Sequence, residues 1–173
     1  MPEIITHYAV SLLISSRTVS LKYAVLLALV GLLPDIDALF RIHRWFTHSL
    51  IIASLAFLAA YVIALKLKPK ASKLVITAYI LYSAHIILDI FTAPTPIIWP
   101  LTSMSYMFKV GIDGIISADG VAITQNIKLD ITPADFTQRP MIEGPIISET
   151  SLTTAVAVAT AIVVERLMQK HTR

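Results

Sequence analysis

Seven ionisable side chains lie in or beside the apolar stretches of this 173-residue chain. They are four histidines and three aspartates, namely His7, Asp35, Asp37, His43, His48, His85 and Asp89. Ionisable groups at membrane depth are costly unless they pair or face a wet cavity. Imidazole and carboxylate ligands in a chain without Cys suit zinc first, and also manganese or iron. The residue types therefore predict a site for one or two divalent metal ions.

The elements that carry these residues are predicted to be membrane helices. Hydrophobic residues make up 56% of the chain and charged residues 14%, whereas about a quarter of a soluble domain is charged. The fold class predicted is mainly α, a single membrane domain over residues 1–173. It is a polytopic helical bundle of four to five helices with a small extramembrane β-hairpin segment. The helices are expected at about 3–16, 21–40, 46–67, 74–92 and 151–168, the first of them too short to span the bilayer.

Residues 93–150 differ in pattern and are predicted to form an extramembrane loop and β segment. From Val121 to Ile131 apolar residues occupy the odd positions, with Gln125 as the exception. A period of two predicts a half-buried strand, and the Asp119-Gly120 pair before it is a hairpin signal. We expect this hairpin to cover one mouth of the bundle.

The distribution of basic residues predicts the orientation in the membrane. The loop between the third and fourth helices carries four lysines, which marks it as cytoplasmic. Threading outward places nine basic residues against Glu165 on that side, a net charge of +8. The other side has five basic and ten acidic residues, a net charge of −5. The chain is thus predicted to be a multi-pass cell-membrane protein with a cytoplasmic C-terminus. Its small total charge of +3 predicts no nucleic-acid partner.

In this topology the candidate ligands reach one level. Counted at 1.5 Å per residue, Asp35, His85, His48 and His7 lie about 15 to 27 Å from the basic residues at the cytoplasmic ends of their helices. This level is near the non-cytoplasmic face. A lone intramembrane histidine is usually a packing residue, and Asp35 and Asp37 could simply end their helix. Coincidence of level across four helices favours a metal site instead.

Three residues are candidates for catalytic roles. His43 and His48 are five positions apart and cannot both point inward from one regular helix. We favour His48 as a ligand and His43 as a proton-transfer group. Asp37 or His43 would serve as general base, and Arg44 would neutralise an anionic substrate, since a guanidinium matches phosphate oxygens in pairs. The alternative for Arg44 is an interfacial anchor.

Four segments resemble the YdjM-like family of membrane-bound metal-dependent hydrolases. The matching pieces are THYAVSLL, LLPDID, HRWFTHSL and HIILDIFTAPTPIIWP, in this order within residues 1–100. The resemblance implies a membrane hydrolase. Its implied metal ligands are His7, Asp35, Asp37, His48, His85 and Asp89.

The leading hypothesis is a metal-dependent hydrolase whose small-molecule or lipid substrate is a phosphoester. In such enzymes the metal activates a water and polarises the scissile bond. One alternative is a metal or proton transporter, or a metal sensor, that uses the same ligands. Another is a structural membrane protein in which the metal only staples the bundle. The oligomeric state stays open.

Overall fold

The computed structural model describes residues 4–42, 44–117, 120–141 and 147–171. Within these residues it is mainly helical, with one two-stranded antiparallel sheet. The helices are α1 (Ile4–Ser16), α2 (Leu21–Leu27), a 3₁₀ helix (Ala28–Phe40), α3 (Leu50–Leu67), α4 (Ser72–Ile90) and α5 (Glu149–His171). The strands are β1 (Met104–Ser117) and β2 (Gly120–Pro133). The predicted fold class is confirmed.

Four helical segments in the described chain are long and apolar enough to cross a membrane. They are Leu21–Phe40, Leu50–Leu67, Pro69–Ile90 and Glu149–Lys170. α1 is apolar but has only 13 residues, about 20 Å at 1.5 Å per residue. It packs against the 3₁₀ helix and α5, while α4 packs against the 3₁₀ helix and α3. The short α1 thus packs against the other helices of the bundle, as its length predicts.

The segment predicted as one helix over 21–40 changes type at Ala28. Its last 13 residues form a 3₁₀ helix that contains Pro34, a residue that cannot donate the backbone hydrogen bond of an α-helix. Every third residue is buried, namely Ala28, Gly31, Pro34 and Asp37, because side chains three apart eclipse in a 3₁₀ helix. One row of this helix therefore faces the bundle, and Asp37 ends that row.

Gly31 lies where the 3₁₀ helix comes closest to α1. A Cβ atom at this position would lie 1.9 Å from Oγ of Ser11. The absence of a side chain is what allows this close approach, and Ser11 itself is buried. The contact fixes the 3₁₀ helix against the helix that carries His7.

The helix predicted over 46–67 begins later than expected. Phe46–His48 forms a single 3₁₀ turn, and α3 starts at Leu50. Ser49 caps α3, since its hydroxyl accepts a hydrogen bond from the backbone N–H of Ile52 at 3.2 Å. Serine is one of the residue types preferred at the N-cap position of a helix. His48 therefore stands on a turn before α3.

The predicted hairpin is confirmed, but the prediction that its second strand is half-buried is wrong. β1 and β2 pair in register from Met104↔Pro133 to Ser117↔Gly120, and Asp119 of the predicted hairpin signal lies outside the described residues. Nearly all of β2 is exposed. At 14 residues each, the strands extend about 46 Å, so the bundle covers only their base, where Phe108 contacts Phe91. The part of the hairpin that lies against the bundle is therefore limited to this base.

Candidate metal centre

Four of the predicted residues converge on one point between the helices. Asp35 lies on the 3₁₀ helix, His48 on the turn before α3, and His85 and Asp89 one turn apart on α4. One ligand atom from each lies within 4.8 Å of the other three, and this group of four is one that could hold a metal ion. His48, His85 and Asp89 are buried, whereas Asp35 is partly accessible.

The backbone of Gly31 orients His85. The Gly31 carbonyl accepts a hydrogen bond from Nδ1 of His85 at 2.7 Å. A carbonyl cannot donate, so Nδ1 carries the proton and Nε2 presents its lone pair. Nε2 faces the cluster, 3.6 Å from Oδ1 of Asp35 and 3.8 Å from Oδ2 of Asp89.

Asp37 orients His48 in the same way, by accepting a hydrogen bond from its Nδ1 atom. Its Oδ2 accepts hydrogen bonds from Nδ1 of His48 at 3.0 Å, from the hydroxyl of Thr47 at 2.9 Å and from the backbone N–H of Trp45 at 2.8 Å. Nε2 of His48 then faces the cluster, 3.2 Å from Oδ2 of Asp89. A carboxylate behind a ligating histidine fixes its tautomer and ring orientation.

The surrounding carboxylates also set the protonation of His48 when no metal is bound. Burial alone would lower the pKa of this imidazole. Contacts with Asp35, Asp37 and Asp89 outweigh burial and raise the pKa to about 10. A proton on His48 and a divalent cation would therefore compete for the same negative charge.

Asp89 is the centre of the network. Its Oδ1 lies 3.2 Å from Nε2 of His7, whose ring stacks on that of His85 with centroids 3.9 Å apart. Its Oδ2 lies 2.9 Å from Nε of Arg44. Arg44 also donates from Nη2 to the Thr92 hydroxyl at 3.1 Å. The buried guanidinium is thus fixed beside the cluster by two partners.

Arg44 adopts an uncommon backbone conformation. Its φ of 59° lies in the left-handed region, which costs a non-glycine residue roughly 1–3 kcal/mol. Its bonds to Asp89 and Thr92 hold the side chain in place and offset this cost. Backbone strain of this kind concentrates at functional sites.

The summed charge of the four-residue group and its neighbours Asp37 and Arg44 fits a divalent cation. Asp35, Asp37 and Asp89 contribute three negative charges and Arg44 one positive charge, which leaves −2 with neutral imidazoles. Among the described residues, neither carboxylate oxygen of Asp35 has a hydrogen-bond partner. Nε2 of His85 also lacks one. Buried polar atoms without such partners are uncommon in folded proteins. A bound cation would satisfy both the charge and these atoms.

A cleft lies beside Arg44. It has a volume of about 330 Å³. Its walls come from the loop after α4, from the base of the hairpin and from the segment that follows β2. The lining residues are Arg44, Ala93, Pro94, Ser105, Thr132, Pro133, Asp135 and Arg139. Arg44 is thus the residue that joins this cleft to the metal group, since its guanidinium also bonds Asp89.

The structure places each predicted residue as follows. Asp35, His48, His85 and Asp89 form the four-atom group, with His7 and Asp37 in contact with it and Arg44 on its rim. His43 lies outside the described residues. Gly31, Thr47 and Thr92 hold these side chains and were missed by the sequence analysis. Thr47 and Thr92 could have been suspected because they lie inside the HRWFTHSL and HIILDIFTAPTPIIWP segments, whereas a backbone carbonyl such as that of Gly31 leaves no signal in residue type.

Long apolar helices and a buried His/Asp cluster define a multi-pass membrane protein with a possible metal site. A family model described as YdjM inner membrane protein matches residues 1–171. The chain therefore belongs to the YdjM inner membrane protein family, and the match extends well beyond the first 100 residues that carry the recognisable motifs. Comparisons with curated proteins and with solved structures gave no match.

Proposed function

We propose that this protein is a membrane-bound metal-dependent hydrolase that cleaves a phosphoester, either a small molecule or a lipid-linked one. The observation that carries the proposal is the group of Asp35 and the buried His48, His85 and Asp89, beside a fixed arginine that also lines a cleft. Two imidazoles and two carboxylates suit zinc, manganese or iron.

These four residues would hold one divalent ion. When bound, such an ion lowers the pKa of a water and polarises the scissile bond. Asp37 and the Gly31 carbonyl keep Nε2 of His48 and Nε2 of His85 facing the ion, since each bonds the other ring nitrogen. The net charge of −2 favours one ion over two, because a second would leave the buried cluster positively charged.

Arg44 would bind the anionic group of the substrate. Its Nε is bonded to Asp89 and its Nη2 to Thr92, so the guanidinium is preorganised at the cleft wall. A preorganised donor stabilises charge that develops in a transition state without reorganisation. His43 precedes Arg44 in the chain and is our candidate for proton transfer, because Oδ2 of Asp37 already accepts three hydrogen bonds.

We further propose that the cluster faces the non-cytoplasmic side. His48 precedes α3 and Asp89 lies near the end of α4, whereas Lys66 and Lys73 lie at the opposite ends of these two helices. The lysine-rich connection between α3 and α4 is the cytoplasmic signal. The cluster and this connection are at opposite ends of the bundle.

A purified, metal-analysed protein assayed on phosphodiesters, phosphomonoesters and esters tests the function. We expect bound metal and turnover of at least one phosphoester by the wild type, and loss of both in His85→Ala and Asp35→Ala. Asp113→Ala, an exposed aspartate on the hairpin, is the matched control and should keep both. Full activity in His85→Ala would contradict the mechanism. Bound metal with no turnover on any phosphoester would favour the transporter or staple alternatives.

A further inference from the structure

The hairpin has one face that is apolar along its whole length and an opposite face that is mostly polar. The register places apolar side chains of both strands on the same face, because side chains alternate between the faces of a strand. That face contains Met104, Tyr106, Phe108, Val110, Ile112, Ile116, Val121, Ile123, Ile127, Leu129 and Ile131. Only Gln125 interrupts it with a polar side chain among the described positions.

The opposite face carries all the charged side chains of the two strands, with Met107, Ile115 and Ala122 as its apolar positions. Lys109 and Lys128 both bond Asp130, at 2.7 and 3.0 Å, and Asp113 is paired in register with Thr124. The two lysine side chains are exposed, at 55% and 67%. The two faces of the hairpin therefore require different surroundings.

The bundle leaves most of the apolar face uncovered. Ile112 and Ile123 are 73% and 72% exposed. Contact with the bundle is made at the base, where the ring of Phe108 lies 6.1 Å from that of Phe91. Contiguous exposed apolar surface of this extent marks an interaction site.

The apolar face continues a stripe on a membrane-spanning helix. Ile80, Ile87 and Phe91 are about half exposed, and their spacing of seven and four residues places them on one side of α4. α4 lies in a candidate span that ends at Ile90. The exposed apolar stripe of α4 thus ends at Phe91, whose ring packs against Phe108 on the apolar face of the hairpin.

We propose that the hairpin lies in the interface of the lipid bilayer with this apolar face turned toward the acyl chains. It cannot cross the hydrocarbon core, because a two-stranded ribbon leaves backbone groups unpaired along both outer edges. At the interface these edges meet headgroups and water, and the Lys109–Asp130–Lys128 network stays solvated. Amphipathic elements at an interface reach a depth of about 5–10 Å.

Single cysteines with spin labels test this placement, since the chain contains no Cys. The labelled positions are Ile112 and Ile123 on the apolar face, and Asp113 and Thr124 on the polar face. Each pair is adjacent in sequence, so it differs mainly in the face. Full-length protein is reconstituted in vesicles of zwitterionic lipid, and collisions with oxygen and with a water-soluble nickel chelate are compared. A label at Leu58, which is exposed on α3, provides the lipid reference.

We expect the oxygen-to-nickel collision ratio to be roughly tenfold higher for Ile112→Cys and Ile123→Cys than for Asp113→Cys and Thr124→Cys, because oxygen concentrates in the apolar layer that an interfacial element enters. Equal, water-like ratios at all four positions would overturn the proposal. Apolar-face labels shielded from both reagents, with spectral broadening that vanishes on dilution with unlabelled protein, would show that a second copy covers the face instead. None of these readouts depends on metal or turnover.

Discussion

The backbone carbonyl of Gly31 accepts a hydrogen bond from Nδ1 of His85 at 2.7 Å, and the same glycine lets the 3₁₀ helix approach Ser11 of α1. One small residue thus sets both the packing of two helices and the direction of a proposed ligand. Its substitution should affect the metal site although it offers no side chain to it.

We predict that Gly31→Ala weakens metal binding by about 10- to 100-fold, the usual effect of disturbing a partner behind a ligand. The added Cβ would lie 1.9 Å from Oγ and 2.8 Å from Cβ of Ser11, so the Ser11 hydroxyl must rotate away and the two helices must also shift slightly apart. Competition with a metal chelator measures the loss. Gly114→Ala is the control, since a Cβ there meets no atom within 4 Å. Adding Ser11→Gly to Gly31→Ala should restore most of the affinity, and unchanged affinity in Gly31→Ala alone would contradict the role.

Asp37 is predicted to orient His48 and not to be a ligand itself. Asp37→Ala should therefore lower metal affinity by about 10- to 100-fold, while Asp35→Ala and Asp89→Ala abolish stoichiometric binding. Metal content and chelator competition on the three purified variants distinguish these cases. Complete loss of metal in Asp37→Ala, equal to that in Asp35→Ala, would instead place Asp37 among the ligands, as the sequence analysis allows.

Arg44 is predicted to bind the anionic part of the substrate. Arg44→Lys should keep metal but lower kcat/KM for anionic phosphoesters by at least about tenfold, because one ammonium cannot reproduce the forked contacts to Asp89, Thr92 and a phosphate. Arg44→Ala should in addition destabilise the fold by up to about 3–5 kcal/mol, since it removes the guanidinium that pairs with the buried Asp89 carboxylate and leaves it with His7 and His48. Arg17→Ala, which removes an exposed arginine paired with Glu165, is the matched control. Equal kcat/KM values for wild type and Arg44→Lys would exclude this role.

Metal affinity is predicted to rise with pH. The pKa of His48 is raised to about 10 without metal, so below this pH its ring holds a proton that the metal must displace. Each released proton strengthens apparent binding by about tenfold per pH unit, so affinity should increase from pH 6 to pH 9. Calorimetry in two buffers of different ionisation enthalpy counts the protons. Binding that is flat across this range would show that His48 is neutral in the metal-free protein.

Orientation is predicted from the lysine distribution and can be measured in the cysteine-free chain. Asp113→Cys should react with a membrane-impermeant thiol reagent in intact cells, whereas Lys70→Cys should react only after permeabilisation. Both positions are exposed, so accessibility within the protein does not limit labelling. The reverse pattern would place the cluster on the cytoplasmic side.

The sequence predicted the helical membrane bundle well, because apolar runs of span length admit few other folds. It also singled out His48, His85, Asp35 and Asp89, which the structure brings together, because ionisable residues are rare in such runs and their positions along the helices put them at one level. It could not distinguish an α-helix from a 3₁₀ helix over 28–40, since apolar residues occupy both faces there. The Gly31 contact follows from that unforeseen geometry.

For the hairpin, the sequence pattern predicted the local structure but not its surroundings. Alternation over 121–131 predicted a strand and its two faces correctly. Half-burial was wrong because alternation shows only that one face is apolar and not what covers it. In a membrane protein, lipid is a further candidate to cover such a face beside the protein's own core.

Metal-titrated turnover tests the central claim most directly. Protein stripped with a chelator is loaded stepwise with zinc, manganese or iron(II), and hydrolysis of a phosphoester is followed at each step beside His85→Ala. We predict that activity rises from zero and saturates at one equivalent per chain, with none in His85→Ala. Hydrolysis that persists in the stripped protein, or an equal response in His85→Ala, would contradict a catalytic metal held by Asp35, His48, His85 and Asp89.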